Sequence, residues 1–256
     1  MPAETETTRR MTWPGLVGLL LAFLLVPSFV SVLFLHSQSE RLFPDAHAGL
    51  KVAIVHAVGT AIVVLAITAK RWWPAVLRDH MPARGWVWLP SLAIVTVAIG
   101  LADWGRVGTA GAAAVAALAL GTLMIATGEE LMFRGVMVVF LRTRMGELGV
   151  ALVTSLVFGL SHVLAGPVQV VFSMLLGFVL YTARRVSGGI AVPILVHLAW
   201  DLSVFTSFLT ADPADGSDAS VALALVNIVA AIVLAVLWRK VTPASSPDPA
   251  ASLPTA

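Results

Sequence analysis

The chain has 256 residues, 59% of them hydrophobic and only 12% charged, with a mean hydropathy of +0.94. Soluble domains carry about 25% charged residues, so this composition excludes an ordinary soluble enzyme and implies an integral membrane protein. Cysteine is absent, which removes disulfides and thiolate metal sites. The net charge of +2 sits in short loops and calls for no nucleic-acid partner.

Crossing a hydrocarbon core of about 30 Å takes about 20 apolar residues. Eight segments qualify in chain order: 13–35, 52–69, 86–103, 112–141, 149–166, 167–183, 189–209 and 220–238. The first follows Arg9-Arg10, exceeds a signal-peptide core and lacks a small-residue cleavage site, so it is expected to be a retained anchor helix. Residues 1–10 and the Pro-, Ser- and Ala-rich tail 241–256 are expected to be disordered. The remainder, 11–240, is predicted to be one all-α domain, a polytopic bundle of about eight transmembrane helices.

Twelve of the sixteen basic residues fall at one set of segment ends: Arg9, Arg10, Lys70, Arg71, Arg78, Arg84, Arg142, Arg144, Arg184, Arg185, Arg239 and Lys240. The opposite loops hold only Arg41, Lys51 and Arg106. The positive-inside rule then places both termini in the cytoplasm. Seven tryptophans, among them Trp13, Trp72, Trp104 and Trp238, fall near segment ends, where indoles anchor to the lipid interface.

Few ionisable residues remain inside the apolar segments: His56, Glu129, Glu130, Arg134, His162, His197 and Asp201. A charge at the bilayer centre costs about 2.5–3.5 kcal/mol on the insertion scale, so such groups face protein or water and point to a functional site. His56 stands alone and reads as a packing histidine. Glu130 and Arg134 are four apart with the acid first, the favourable order for an ion pair. Glu129 lies about 100° around the helix and is left without that partner. The same four-residue spacing relates Phe158 to His162 in FGLSH and His197 to Asp201 in HLAWD.

A desolvated glutamate can serve as general base, a histidine can share its water, and a second can stabilise an oxyanion. Glu129, His162, His197 and Asp201 are also proper zinc ligands, although no HExxH spacing is present. The residues alone leave an enzyme, a proton or ion pathway and structural polar packing open.

In this order the three motifs resemble the CPBP family of intramembrane proteases, the CAAX prenyl protease and bacteriocin-processing group. Glu129-Glu130-x-x-x-Arg134 corresponds to EExxxR, Phe158-x-x-x-His162 to FxxxH, and His197-x-x-x-Asp201 to HxxxN/D, over about residues 110–205. The resemblance implies a helical bundle with a conical cavity opening to the cytoplasm, and hydrolysis there of a peptide bond in a membrane-associated substrate, CAAX-like prenylated proteins included. By motif position Glu129 activates the water and His162 holds it. Glu130 and Arg134 complete the first motif, Phe158 opens the second, and His197 and Asp201 occupy the place of the oxyanion-stabilising pair. Asp201 departs from the Asn of well-defined CAAX proteases, and an ionised Asp can only accept hydrogen bonds.

The family is described with metal-dependent and with metal-free glutamate mechanisms, so the implied cofactor is either one divalent ion such as zinc, on Glu129, His162, His197 and Asp201, or none. The partners implied are a membrane-associated peptide or protein substrate and the lipid bilayer, with a bacterial plasma membrane as the location. Two rivals remain: a non-catalytic interaction or self-immunity protein, and a proton-coupled transporter, for which no matched pair of Gly/Pro-broken helices is found.

Overall fold

The computed structural model describes residues 11–35, 43, 45–209 and 218–243. The disorder expected for 1–10 and for 244–256 lies outside the described residues. Up to position 243 the chain is packed: Val241 is buried and accepts the Arg84 N–H, and Thr242 accepts from Arg185.

Among the described residues the architecture is all-helical without strands. The elements are α1 (Trp13–Val30, extended by a π turn over Ser31–Leu35), α2 (Ala46–Lys70), α3 (Trp73–Leu77), α4 (Trp88–Leu101) and α5 (Trp104–Thr109). They continue with α6 (Ala112–Glu130), a π segment (Leu131–Met137), α7 (Val138–Leu141), α8 (Glu147–Leu160), α9 (Pro167–Ser187), α10 (Ala191–Thr206) and α11 (Asp218–Val236).

Each of the eight apolar segments contains a helix. Four helical stretches are long and apolar enough to cross a membrane: Trp13–Leu33, Ala46–Lys70, Ala112–Leu141 and Pro167–Ser187. The other four, Gly85–Leu101, Glu147–Leu160, Ala191–Thr206 and Val221–Val236, are apolar but shorter.

Local chemistry sets several ends. The Asp45 side chain accepts the Ala48 N–H at 2.8 Å and starts α2. Pro167 at the first turn starts α9, where its missing N–H costs nothing, and Gly188 at φ +73° closes it in the left-handed conformation that glycine tolerates.

Small residues bring the helices close. A side chain at Gly49 would meet Ala117 at 2.9 Å, and one at Gly128 would meet the Thr60 hydroxyl at 2.5 Å. These two crossings, in the same order along both chains, make α2 and α6 parallel neighbours. In the antiparallel α8–α9 pair, a side chain at Gly159 would strike the Val170 carbonyl at 2.6 Å. Close approach of this kind is how helices associate where lipid removes a hydrophobic driving force.

The two ends of the bundle differ in chemistry. At one end Asp79 accepts from Arg142 and Arg184, each at 3.0 Å, and Arg142 also pairs with Glu147 at 2.9 Å. Tyr181 donates to the same Glu147. Arg184 spends its remaining N–H groups on the carbonyls of Val76, Ala75 and Arg78. Burial works against the Arg142 charge, but Tyr181, Asp79 and Glu147 outweigh it and hold the guanidinium well above its ordinary pKa. Backbone bonds Asp79 N–H to Gly188 and Ile190 N–H to Leu77 fasten the α3 region to the α9–α10 turn. The start of α1 joins this end through Arg144 and the Met11 carbonyl. At the opposite end the Asp103 N–H donates to Thr206 at 3.1 Å, Phe43 stacks on Phe205 at 5.0 Å, and Arg106 reaches the Leu209 carbonyl.

Candidate active site

The site is built where α6, α8 and α10 converge around Phe158. Immediately after Glu129-Glu130 the α-helix widens into the π segment, all seven residues of which are buried. Such π bulges are rare and concentrate at functional positions; nothing in the hydrophobic pattern of 112–141 signals one. Within this geometry Arg134 Nη1 donates to Glu130 Oε1 at 2.8 Å, with both side chains fully buried. The Arg134 guanidinium lies over the Phe158 ring, 4.2 Å from its centroid. A side chain at Gly177 would reach within 3.0 Å of Arg134 Nη2, so this glycine on α9 makes the room the guanidinium occupies.

His197 on α10 bridges the two glutamates. Its Nδ1 lies 2.9 Å from Glu130 Oε1, and a carboxylate already receiving Arg134 makes Nδ1 the donor. Its Nε2 points at the other two acids, 3.7 Å from Glu129 Oε2 and 3.5 Å from Asp201 Oδ2. Glu129 Oε2 is buried and without a hydrogen-bond partner. Glu130 Oε1 therefore takes both Arg134 and His197, while Oε2 of each glutamate is buried without a hydrogen-bond partner.

His162 does not lie on the expected helix 149–166. Helix α8 ends at Leu160, and His162 sits in the turn that follows, closed by Gly166 at φ +97°. Ser161, whose hydroxyl donates to the Phe158 carbonyl, helps end the helix. His162 Nδ1 is 2.9 Å from the same carbonyl, which can only accept; Nδ1 therefore carries a proton, and Nε2 is the ring atom left to meet other groups. The Phe158 ring meets both imidazoles edge-on, at 5.0 Å for His162 and 5.7 Å for His197.

A cavity of about 30 Å³ lies against Phe158, His162, His197 and Asp201, room for a water molecule. Beside it a cavity of about 940 Å³ reaches Glu129, His162, His197 and Asp201, with apolar walls that include Phe23, Phe172, Phe205 and Phe208. His56 also lines this cavity, and among the described residues its imidazole has no hydrogen-bond partner. The packing role expected of it is thus corrected: it faces the site across the cavity. Trp200 and Gln169 line it too. No linear spacing links His56 to the motifs, because it arrives through the α2–α6 crossing.

For the metal expectation the geometry is unfavourable. Among the described residues no three His, Asp or Glu side chains converge as a metal-holding group. The Nδ1 atoms of His162 and His197 face the Phe158 carbonyl and Glu130, which leaves Nε2 of each ring as the atom that could meet a metal or a water.

Glu129 on the wall of a large cavity, with His162, His197 and a water-sized space close by, is equipment for hydrolysis. Residues 111–203, from the start of α6 through most of α10, match the family model of the type II CAAX prenyl endopeptidases, Rce1-like. The match covers this stretch and not the rest of the chain. No curated protein and no solved structure matches the chain. The matched stretch contains all three motifs and leaves α1–α5 and α11 outside it, although α1, α2 and α11 contribute cavity wall. With its apolar helices and this match, the chain is an integral membrane protein.

The lining of the large cavity includes Pro27, Ala165, Phe208 and Val221, near the helix ends remote from the arginine-rich network.

Proposed function

We propose that the protein is an intramembrane endopeptidase that hydrolyses a peptide bond of a membrane-associated substrate by glutamate- and histidine-activated water. The observation that carries this reading is the unequal engagement of the two glutamates: Glu130 Oε1 receives both Arg134 and His197, whereas Glu129 makes no side-chain hydrogen bond among the described residues, has His197 Nε2 at 3.7 Å and lines the large cavity. Water held by His162 Nε2 gives a proton to Glu129 as its oxygen attacks the scissile carbonyl carbon. The C–N bond then breaks and Glu129 returns the proton to the departing amine, so that water ends up divided between a new carboxyl and a new amine. His197 Nε2 is placed to donate to the developing oxyanion, and Asp201, 3.5 Å from that nitrogen, orients the ring. Eight helices cross a bacterial plasma membrane with the arginine-rich end in the cytoplasm, as the distribution of basic residues favours.

The test is cleavage of a membrane-borne reporter peptide, prenylated and unprenylated, by purified wild type, Glu129→Gln and His162→Ala, with metal analysis on the same samples. Loss of cleavage in both variants without stoichiometric metal in wild type is expected. Full cleavage by Glu129→Gln would remove the assigned base, and a stoichiometric zinc lost with His162→Ala would replace the metal-free reading. A non-catalytic interaction protein would show no turnover in any sample.

A further inference from the structure

We infer that His56, on α2 and outside the three motifs, is a substrate-binding residue of the same site: its imidazole hydrogen-bonds the backbone of the bound peptide about two residues from the bond that is cut. This rests on the endopeptidase reading for what the site cleaves, but the placement of His56 comes from separate observations.

The first is the level at which His56 stands. Helices α2 and α6 run parallel, and Thr60 meets Gly128 where they cross. The Thr60 hydroxyl ties the helices together there, 2.9 Å from the His56 carbonyl on its own helix and 3.3 Å from the Met124 carbonyl on the other. His56 lies one turn before Thr60, about 6 Å along the axis, and Glu129 one residue beyond Gly128. The two side chains thus line one cavity from levels about 7–8 Å apart. A step of that size sets His56 apart from the water shared by Glu129 and His162. It matches two residues of an extended peptide, at about 3.3 Å each.

The second is the wall that carries it. From α1 and α2 the cavity is lined by Phe23, Leu24, Pro27, Gly59 and His56, and of these His56 alone has a polar side chain. A side chain at Gly59 would meet Pro27 at 3.2 Å and Phe23 at 3.3 Å, so α1 packs directly on α2 beside His56 and holds the wall in place.

The third is what the imidazole has to offer. A peptide laid against apolar walls needs partners for its N–H and C=O groups, because burying them unpaired is costly. A neutral imidazole presents one donor and one acceptor and can meet either group. Ser161 and Gln169, also in the lining, already donate to the Phe158 carbonyl and to Ser173. The His56 ring makes no hydrogen bond among the described residues and keeps both nitrogens for a ligand.

The test uses the full-length protein in lipid nanodiscs and the prenylated reporter peptide of the cleavage assay. His56→Phe keeps a ring and removes both nitrogens, His56→Gln keeps a donor and an acceptor, and His56→Leu stands in if the Phe variant does not accumulate. His56→Phe is expected to raise KM by about 3–10-fold, the worth of one hydrogen bond, with kcat changed less, and His56→Gln to recover part of the loss. In the Glu129→Gln background, Kd for the dye-labelled reporter should rise by the same factor. An ester in place of the amide two residues from the cut bond, on one side or the other, should weaken binding to His56-containing protein more than to His56→Phe. Unchanged KM and Kd in His56→Phe would overturn the assignment, as would an ester penalty equal in both proteins. A fall in kcat with KM unchanged would overturn it too, by placing His56 at the reacting bond. Binding that depends on His56 without any cleavage would keep the contact and remove the endopeptidase reading. A reporter that wild type neither cleaves nor binds would remove both.

Discussion

His197 Nδ1 sits 2.9 Å from Glu130 Oε1, turning a histidine on α10 into the link between the two adjacent glutamates of α6. The bond orients the ring so that Nε2 faces Glu129 and Asp201. Glu130 is thereby a positioning residue and Glu129 the group left for chemistry.

That division predicts opposite behaviour for two similar substitutions. Glu129→Gln should lower cleavage by about 10²–10⁴-fold, the range for a general base, with thermal stability in detergent little changed, because the carboxylate makes no side-chain hydrogen bond among the described residues and has only the 3.7 Å contact to His197. Glu130→Gln should lower both activity and stability, the latter by about 3–5 kcal/mol, since it strands the buried Arg134 charge. Thermal unfolding beside a cleavage assay separates the two.

Asp201 offers a second comparison. Its carboxylate lies 3.5 Å from His197 Nε2, and Asn preserves its shape while removing its charge. Asp201→Asn should therefore retain more cleavage than Asp201→Ala. Equal loss in both would show that charge, rather than hydrogen-bonding shape, matters there.

Gly177 tests the support of the first motif from a different helix. A methyl group there would lie 3.0 Å from Arg134 Nη2 and 3.1 Å from the Phe158 ring. Gly177→Ala should cost about 1–3 kcal/mol, as overpacking does, and reduce kcat more than KM by tilting Arg134 and with it Glu130. Wild-type kcat in a destabilised protein would restrict Gly177 to packing.

The far end gives a control. Asp79→Asn leaves Arg142 and Arg184 without their shared acceptor charge, and should destabilise by about 3–5 kcal/mol. Because the network lies outside the cavity, the folded fraction should cleave at the wild-type rate. Activity per folded molecule, measured below the unfolding transition, checks this.

Much of this was legible in the sequence because membrane chemistry is severe. Apolar runs of spanning length locate eight helices, and the few ionisable residues left inside them had to be paired or functional. The four-residue spacing of Glu130 and Arg134 was enough to pair them, and the pair forms. Other features depend on contacts between distant segments. His162 leaves the helix because the chain turns through Gly166. The π widening after Glu130 occurs inside a run whose hydrophobic pattern is unbroken. His56 faces the cavity because Gly49 and Gly128 let α2 lie against α6.

The sequence by itself determined the helical membrane class, the motifs and the asymmetry of charge between the two ends, since these follow from composition and from spacing along one helix. Only the tertiary structure decided which glutamate His197 engages and on which side of the site the cavity lies. Both depend on how helices remote in sequence cross, and one-dimensional spacing carries no record of a crossing.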